Sequence, residues 1–477
     1  MSGVGLKFFR GFPAFLIIYV FLVSCTGKSV GDGMIILTES PELLRSPDYS
    51  EGTVWRYLPG ARITAVNPDK PEKIIVLTEE FSSACFPEIS YDGKCMLFTA
   101  RKNENDSWQI WEMNLRNLKS RKITSFDENC TDPVYLPGNR MAFSRQTIND
   151  TVGNAHCIFT CRLDGSGVQQ VTFSPASSFA NTVLKDGRII TVNTVLNPQE
   201  ADPVLQIMRP DGTKADLYYK APAGCRLISS VSETNDRHLI FAERNAGNPG
   251  KDELISISYN RPLHTRINLT SSIDGDFLFA LPVATDRFLV SYRKPGSESY
   301  GICEFDPSEK KLGRQIYSDP RYNVVDAVIA VRHDRPKNLP SEVDMHVKTG
   351  LIMCQNINVF NAELPRSFHE THKARRIEVV GVDTTYGVVD VEEDGSFYLK
   401  VIADTPFRIK TIDDNGNLIS GPCSWLWLRP NERRGCVGCH EDPELVPRNL
   451  LSIAVTKDPV IIPVHIGEIK EKIVELE

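Results

Sequence analysis

Beyond its first 25 residues the chain of 477 has no apolar run long enough to cross a bilayer as a helix, which takes about 20 such residues. A second membrane span is therefore not expected. It has no basic patch or stripe. Its 54 Lys and Arg are interleaved with 61 Asp and Glu for a net charge of −7, whereas a nucleic-acid surface needs clustered positive charge. There is no second Cys-x-x-Cys to complete a four-ligand zinc site with the one at Cys436. The first two thirds contain no metal cluster and no nucleophilic triad. What remains is a chain long enough for two or three well-cored domains.

The N-terminus is an address. Lys7 and Arg10 precede a nearly unbroken apolar stretch from Gly11 to Val23, which ends in Leu22-Val23-Ser24-Cys25. Charge, short apolar run and small residue form the secretory pattern. The ending resembles the bacterial lipobox, so residues 1–24 read as a lipoprotein signal peptide and Cys25 as the lipidation site. The plainer alternative is an ordinary signal peptide with a chance Cys. Acyl chains on Cys25 would anchor the protein, because each buried CH₂ contributes ~0.8 kcal/mol. Thr26 after the Cys fits sorting to the outer membrane, facing the periplasm. Residues 25–49 read as a polar tether.

Twelve Cys are many for an exported chain of ordinary composition. Setting aside Cys25, Cys436 and Cys439 leaves nine, an odd number, so at least one stays outside any internal disulfide. Cys157 and Cys161 share one strand-like stretch and would stand ~13 Å apart along it, too far for a disulfide. Most of these thiols read as small buried hydrophobes.

From Pro87 the chain repeats. Units begin at Pro87, Pro133, Asn181, Ser230 and Leu281, at separations of 46, 48, 49 and 51 residues. Each has a turn such as Asp92-Gly93 or Asp186-Gly187, an apolar strand, a polar loop, another strand and another turn. A period of 40–50 residues with several short strands per unit marks a β-propeller. Ser90-Tyr91-Asp92-Gly93-Lys94 resembles the opening of a TolB-type blade. Val324–Arg332 looks like an inner strand without successors. Residues 61–66 and 73–78 look like outer strands without an inner one. Joining the two would close a ring of six blades, with seven the alternative, and remove exposed edges. The propeller is expected over 50–335, as a platform whose loops or channel bind a ligand that the sequence does not identify. Its Asp-Gly pairs read as turn formers.

Arg335-Pro-Lys-Asn-Leu-Pro340 ends the repeat. Residues 336–430 hold apolar strands at 376–382, 388–391, 396–402 and 407–412, split by Asp394-Gly395 and Asn415-Gly416, and read as an antiparallel β-sandwich-like domain. The segment 431–477 opens on Cys436-Val-Gly-Cys439-His440. Cys-x-x-Cys-His is the attachment signature of c-type haem. Two thiols add to the two vinyl groups, and the adjacent imidazole comes under the iron. The expected cofactor is one haem c on Cys436 and Cys439, with His440 as the iron ligand. A structural disulfide or half a zinc site are the competing readings. Met345, His346, Cys354, His369, His372 and His465 are candidates for the second axial position. His369-Glu-Thr-His372 also reads as a metal pair or as two solvated side chains.

The run from Val391 to Glu444, with Arg335–Pro340 and Gly350–Gln355, resembles the hydrazine synthase alpha subunit-like family. That resemblance implies a TolB-type propeller, then a β-rich domain ending in a haem c site. In that family's alpha subunit a Tyr shortly after the motif can ligate the iron. Residues 441–448 contain no Tyr, which favours His440. The implied role is periplasmic electron transfer or small-molecule redox chemistry, with a redox partner protein. The rival is a binding scaffold with a structural Cys pair. In sum the reading is all-β: a six-bladed TolB-like β-propeller, a β-sandwich-like domain and a C-terminal c-type haem segment.

Overall fold

The computed structural model describes residues 29–41, 56–149, 153–194, 203–245, 251–359, 373–436, 444 and 451–463. Cys25, Cys439, His440, His369, His372 and His465 lie outside the described residues. The described chain is almost entirely β-structure, in eight sheets.

Six of the sheets are propeller blades. The second blade is typical, with strands Ser83–Ile89, Cys95–Arg101, Gln109–Asn114 and Ser120–Lys122 running outward from the axis. The third to sixth follow the repeat, and the fifth has its innermost strand split into Cys225–Leu227 and Ser232–Glu233. Apolar residues of successive blades pack together, as Met96 and Phe98 of the second do with Ile36, Ile63 and Ala65 of the first. Fully burying one such side chain contributes about 1.5–3 kcal/mol.

Two small devices recur. A buried Thr near the end of a blade accepts from a neighbouring strand's N–H: Thr78 from Ile63 at 2.9 Å, Thr124 from Ile110 at 2.8 Å, Thr172 from Ile158 at 2.8 Å and Thr270 from Leu254 at 2.9 Å. This explains the Ile-Thr and Val-Thr endings of the repeat. The innermost strands also carry a bulge whose residue has positive φ, at Phe86, Asp132 and Ala180 (+54°, +53° and +55°).

The ring closes through both ends of its sequence. Asn323–Ile329 is the innermost strand of the first blade and pairs with Ile35–Ser40, which pairs with Arg62–Asn67 and then Lys70–Val76. Six blades and closure from both ends are as expected. Strand Ile35–Ser40, however, lies inside the stretch expected to be a tether. Its sequence, Ile-Ile-Leu-Thr-Glu-Ser, is buried throughout, and it contributes the strand that the sequence left missing. Glu39 is buried at its end and accepts from Arg62 Nε at 2.7 Å and from the Tyr317 hydroxyl of the sixth blade.

The other two sheets form a sandwich around Ile352, Leu399 and Val401 on one side and Ile377, Val379 and Ile409 on the other. One sheet orders as Arg433–Cys436, Thr349–Cys354, Phe397–Ile402 and Val460–Ile462. The other orders as Thr385–Asp390, Arg376–Val380, Arg408–Ile412 and Leu418–Ser420. The expectation of a purely antiparallel sandwich is corrected here, because both edge strands of the first sheet pair in parallel. Those strands also lie within the 431–477 segment expected to stand apart, so the segment helps to build the sandwich. Short edge strands added from a distant stretch need no hairpin, so no local turn announced them.

Candidate functional site

The segment leading into the Cys-x-x-Cys-His motif is fastened to both domains. Leu426 exchanges two backbone hydrogen bonds with Phe407, each 2.9 Å. The next residue, Trp427, is only 1 % exposed and packs among Val134, Leu136 and Ile158 of the third blade and Ile189, Met208 and Ala215 of the fourth. A sandwich side chain thus fills the seam between two blades.

Arg429 and Glu432 then form a latch. Glu432 is 1 % exposed; its carboxylate accepts from Arg429 N at 2.8 Å and, across the domain boundary, from Lys214 N at 2.7 Å. Burial pushes its pKa up, against the lowering pull of those two N–H groups. Arg429 donates through Nε to the Asp211 carbonyl at 3.0 Å and through Nη1 to Asp404 at 2.6 Å, and lies over the Phe173 ring at 4.8 Å. The Asp211-Gly212 turn, expected only to reverse the chain, also docks the sandwich. The Asp211 carboxylate accepts from Glu342 N at 2.8 Å and Ser341 Oγ at 3.1 Å. Two residues past the latch, Arg434 reaches Asp216 at 3.5 Å.

The motif therefore starts from a fixed point. Cys436 is the last residue of edge strand Arg433–Cys436, half-buried against the sandwich core and in register with Cys354. A second fixed point follows it. Glu444, its side chain 7 % exposed, accepts from Leu263 N of the fifth blade at 2.7 Å, with Arg261 Nε at 3.4 Å and His264 at 3.8 Å. The described residues on either side of the motif, Cys436 and Glu444, are thus held by the sandwich edge and by the fifth blade. Of the proposed axial candidates, Met345 is 53 % exposed, His346 is exposed, and Cys354 is 5 % exposed with its side chain in the core. Among the described residues no three His, Cys, Asp or Glu side chains cluster as a metal site. Cys157 and Cys161 are buried, as expected of small hydrophobes.

A second polar group, invisible in the repeat, lines the propeller axis. Arg56, 6 % exposed, forms an ion pair with Asp132 on the innermost strand of the third blade, with Nε 3.0 Å from Oδ2, and stacks over Phe86 at 3.7 Å. The neighbouring Tyr57 hydroxyl meets His156 Nε2 at 2.7 Å. Burial lowers His156 to about 4, so its ring is neutral at physiological pH. Arg56-Tyr57-Leu58 thus pins the chain near the axis between the first blade's strands. On the innermost strands of the second and first blades, Glu88 and Asp326 are half-buried. Burial raises Glu88 to about 8, helped by the Asp326 charge, and raises Asp326 to about 7 despite Arg56. No spacing in the sequence connects these residues, because they come from different blades.

Residues 356–441 match the family described as the hydrazine synthase alpha subunit middle domain. Hydrazine synthase subunit alpha of Kuenenia stuttgartiensis is 22 % identical over 534 aligned positions, covering 85 % of this chain. The chain spans 65 % of the length of that curated relative. The solved structure of Kuenenia stuttgartiensis hydrazine synthase superposes with a TM-score of 0.75 at 19 % identity, over 90 % of this chain and 72 % of that one. TolB from Acinetobacter baumannii gives 0.42 at 14 % identity, over 60 % of this chain and 66 % of that one.

Proposed function

We propose, for a chain that is hydrazine synthase alpha-like in sequence and fold, that it is a lipid-anchored envelope protein carrying one covalent haem c for periplasmic electron transfer or small-molecule redox chemistry. The observation that carries this reading is the double fastening of the motif, at Cys436 on the sandwich edge and at Glu444 on the fifth blade. Fixed points at residues 436 and 444 bracket the motif, which supports attachment of a rigid planar group there more than a surface disulfide does. The half-buried, apolar setting of Cys436 fits a thioether to a hydrophobic macrocycle.

In this reading Cys436 and Cys439 hold the haem and His440 ligates its iron. The haem would supply one-electron redox chemistry, at a potential governed by axial ligation and burial. The protein's own residues do the positioning. The Arg429–Glu432 latch fixes the approach of the chain, Trp427 excludes water from the seam behind it, and the propeller gives it a rigid base. Cys25 would anchor the molecule by its lipid.

The test expresses the full chain in a host with active cytochrome c maturation and follows both features together. Wild type should sediment with membranes and keep a haem stain after denaturing electrophoresis. Cys436→Ala with Cys439→Ala should lose the stain. His440→Ala should keep some covalent haem with an altered visible spectrum. Cys25→Ser should shift the protein to the soluble fraction. A wild-type protein without a Soret band would overturn the haem assignment. A Cys25→Ser protein that still sediments after a high-salt wash would overturn the anchor.

A further inference from the structure

Cys354 and Cys436 end two neighbouring strands, Thr349–Cys354 and Arg433–Cys436. The strands run parallel, and the ladder sets Cys354 opposite Cys436. Ladder partners project to the same face of a sheet, with strands about 4.8 Å apart. That spacing falls within the ~4.4–6.8 Å between Cα atoms that a disulfide spans. Both side chains pack into the same sandwich core. Cys436 is the final residue of a four-residue edge strand, so it can settle toward its neighbour without moving a paired strand beyond it. The third thiol of that core, Cys423, is engaged elsewhere: it accepts from Ile409 N at 3.2 Å and donates to the Ser424 carbonyl at 3.2 Å.

We propose that Cys354 is a resident disulfide partner of Cys436: the two link whenever Cys436 carries no haem, and the link competes with haem attachment. Formation of the bond converts two thiols to one S–S bond and releases two protons and two electrons. The electrons go to the disulfide of an oxidising thiol–disulfide exchanger, whose own S–S bond opens to two thiols through a mixed disulfide. A dithiol reductant reverses the exchange and returns Cys436 as the thiol that a haem vinyl can take. The consequence for haem rests on the function proposed above, whereas the bond itself does not.

The wild-type full chain is exported in a host lacking cytochrome c maturation, alkylated, digested without reductant and mapped by mass spectrometry. The expected product is a peptide pair joined through Cys354 and Cys436 that disappears on reduction. A map showing only a Cys436–Cys439 link, or Cys354 alkylated throughout, overturns the proposal. Cys354→Ser is then expressed with maturation active and haem per protein is measured. Freed from competition, it should load roughly twofold more haem than wild type when no reductant is supplied, and the same when it is. Equal loading in both conditions overturns the competition. If wild type never takes haem, the peptide map still decides the disulfide, and only the haem reading fails.

Discussion

At the scale of single residues, the innermost strands carry two acids, Glu88 and Asp326, with raised pKa values. Glu88 and Asp326 titrate far above ordinary carboxylates because burial penalises their charge. An acid whose pKa rises on folding binds more protons folded than unfolded. Its contribution is complete below the unfolded pKa of about 4 and is lost as pH rises through the folded value. The melting temperature should therefore fall by several degrees between pH 5 and pH 8.5, with most of the loss above pH 6. Glu88→Gln combined with Asp326→Asn should flatten that slope while preserving the fold. Calorimetric melts of both proteins across this range check it, and an equal slope in the double variant would remove these two groups as its cause.

At the scale of elements, closure depends on a strand whose sequence neighbours gave no warning of it. Ile35–Ser40 is hydrogen-bonded on both sides, to Asn323–Ile329 and to Arg62–Asn67. Leu37, 1 % exposed, lies in the core shared with the sixth blade, alongside Ile302 and Tyr317. Leu37→Ala should cost about 2–5 kcal/mol, as buried Leu-to-Ala changes do, measured by chemical denaturation. Leu37→Asp should open the ring and make the first and sixth blades the earliest sites of limited proteolysis. The turns show the same dependence on neighbours. Gly165 and Gly212 take φ of +83° and +82°. A Cβ on either would come within 2.6 Å of the Ile123 carbonyl oxygen or 2.0 Å of that of Val171, both on the preceding blade. Asp-Gly turns at these places serve blade packing as well as reversal.

At the scale of the whole molecule, the buried Trp427 and the Arg429–Glu432 latch couple the sandwich to the propeller. Glu432→Ala would remove the acceptor of the Lys214 N–H and strand the buried Arg429 N–H, the latter at about 1–3 kcal/mol. It would also loosen the approach to Cys436. Wild type should unfold in one calorimetric transition and Glu432→Ala in two, with the sandwich melting first. If the variant still melts as one unit, Trp427 and the Arg429–Asp211 contact suffice as the coupling.

The sequence alone determined the features written in short range. The turn-strand-turn period of 46 to 51 residues needs only local turn chemistry and alternating burial to be read. The Cys436–His440 spacing is likewise a property of five adjacent residues. Tertiary structure decided whatever joins distant segments. Residues 35–40 look like a tether until a strand about 290 positions away pairs with them. The parallel edges at 433–436 and 460–462 have no hairpin turn to announce them. Arg56 finds Asp132, Glu432 finds Lys214, and Cys354 finds Cys436 only because the ring and the sandwich bring them together. The physical reason is common to all of these. Local propensity selects each strand, but partners, burial and shifted pKa values belong to contacts that exist only after the chain has closed on itself.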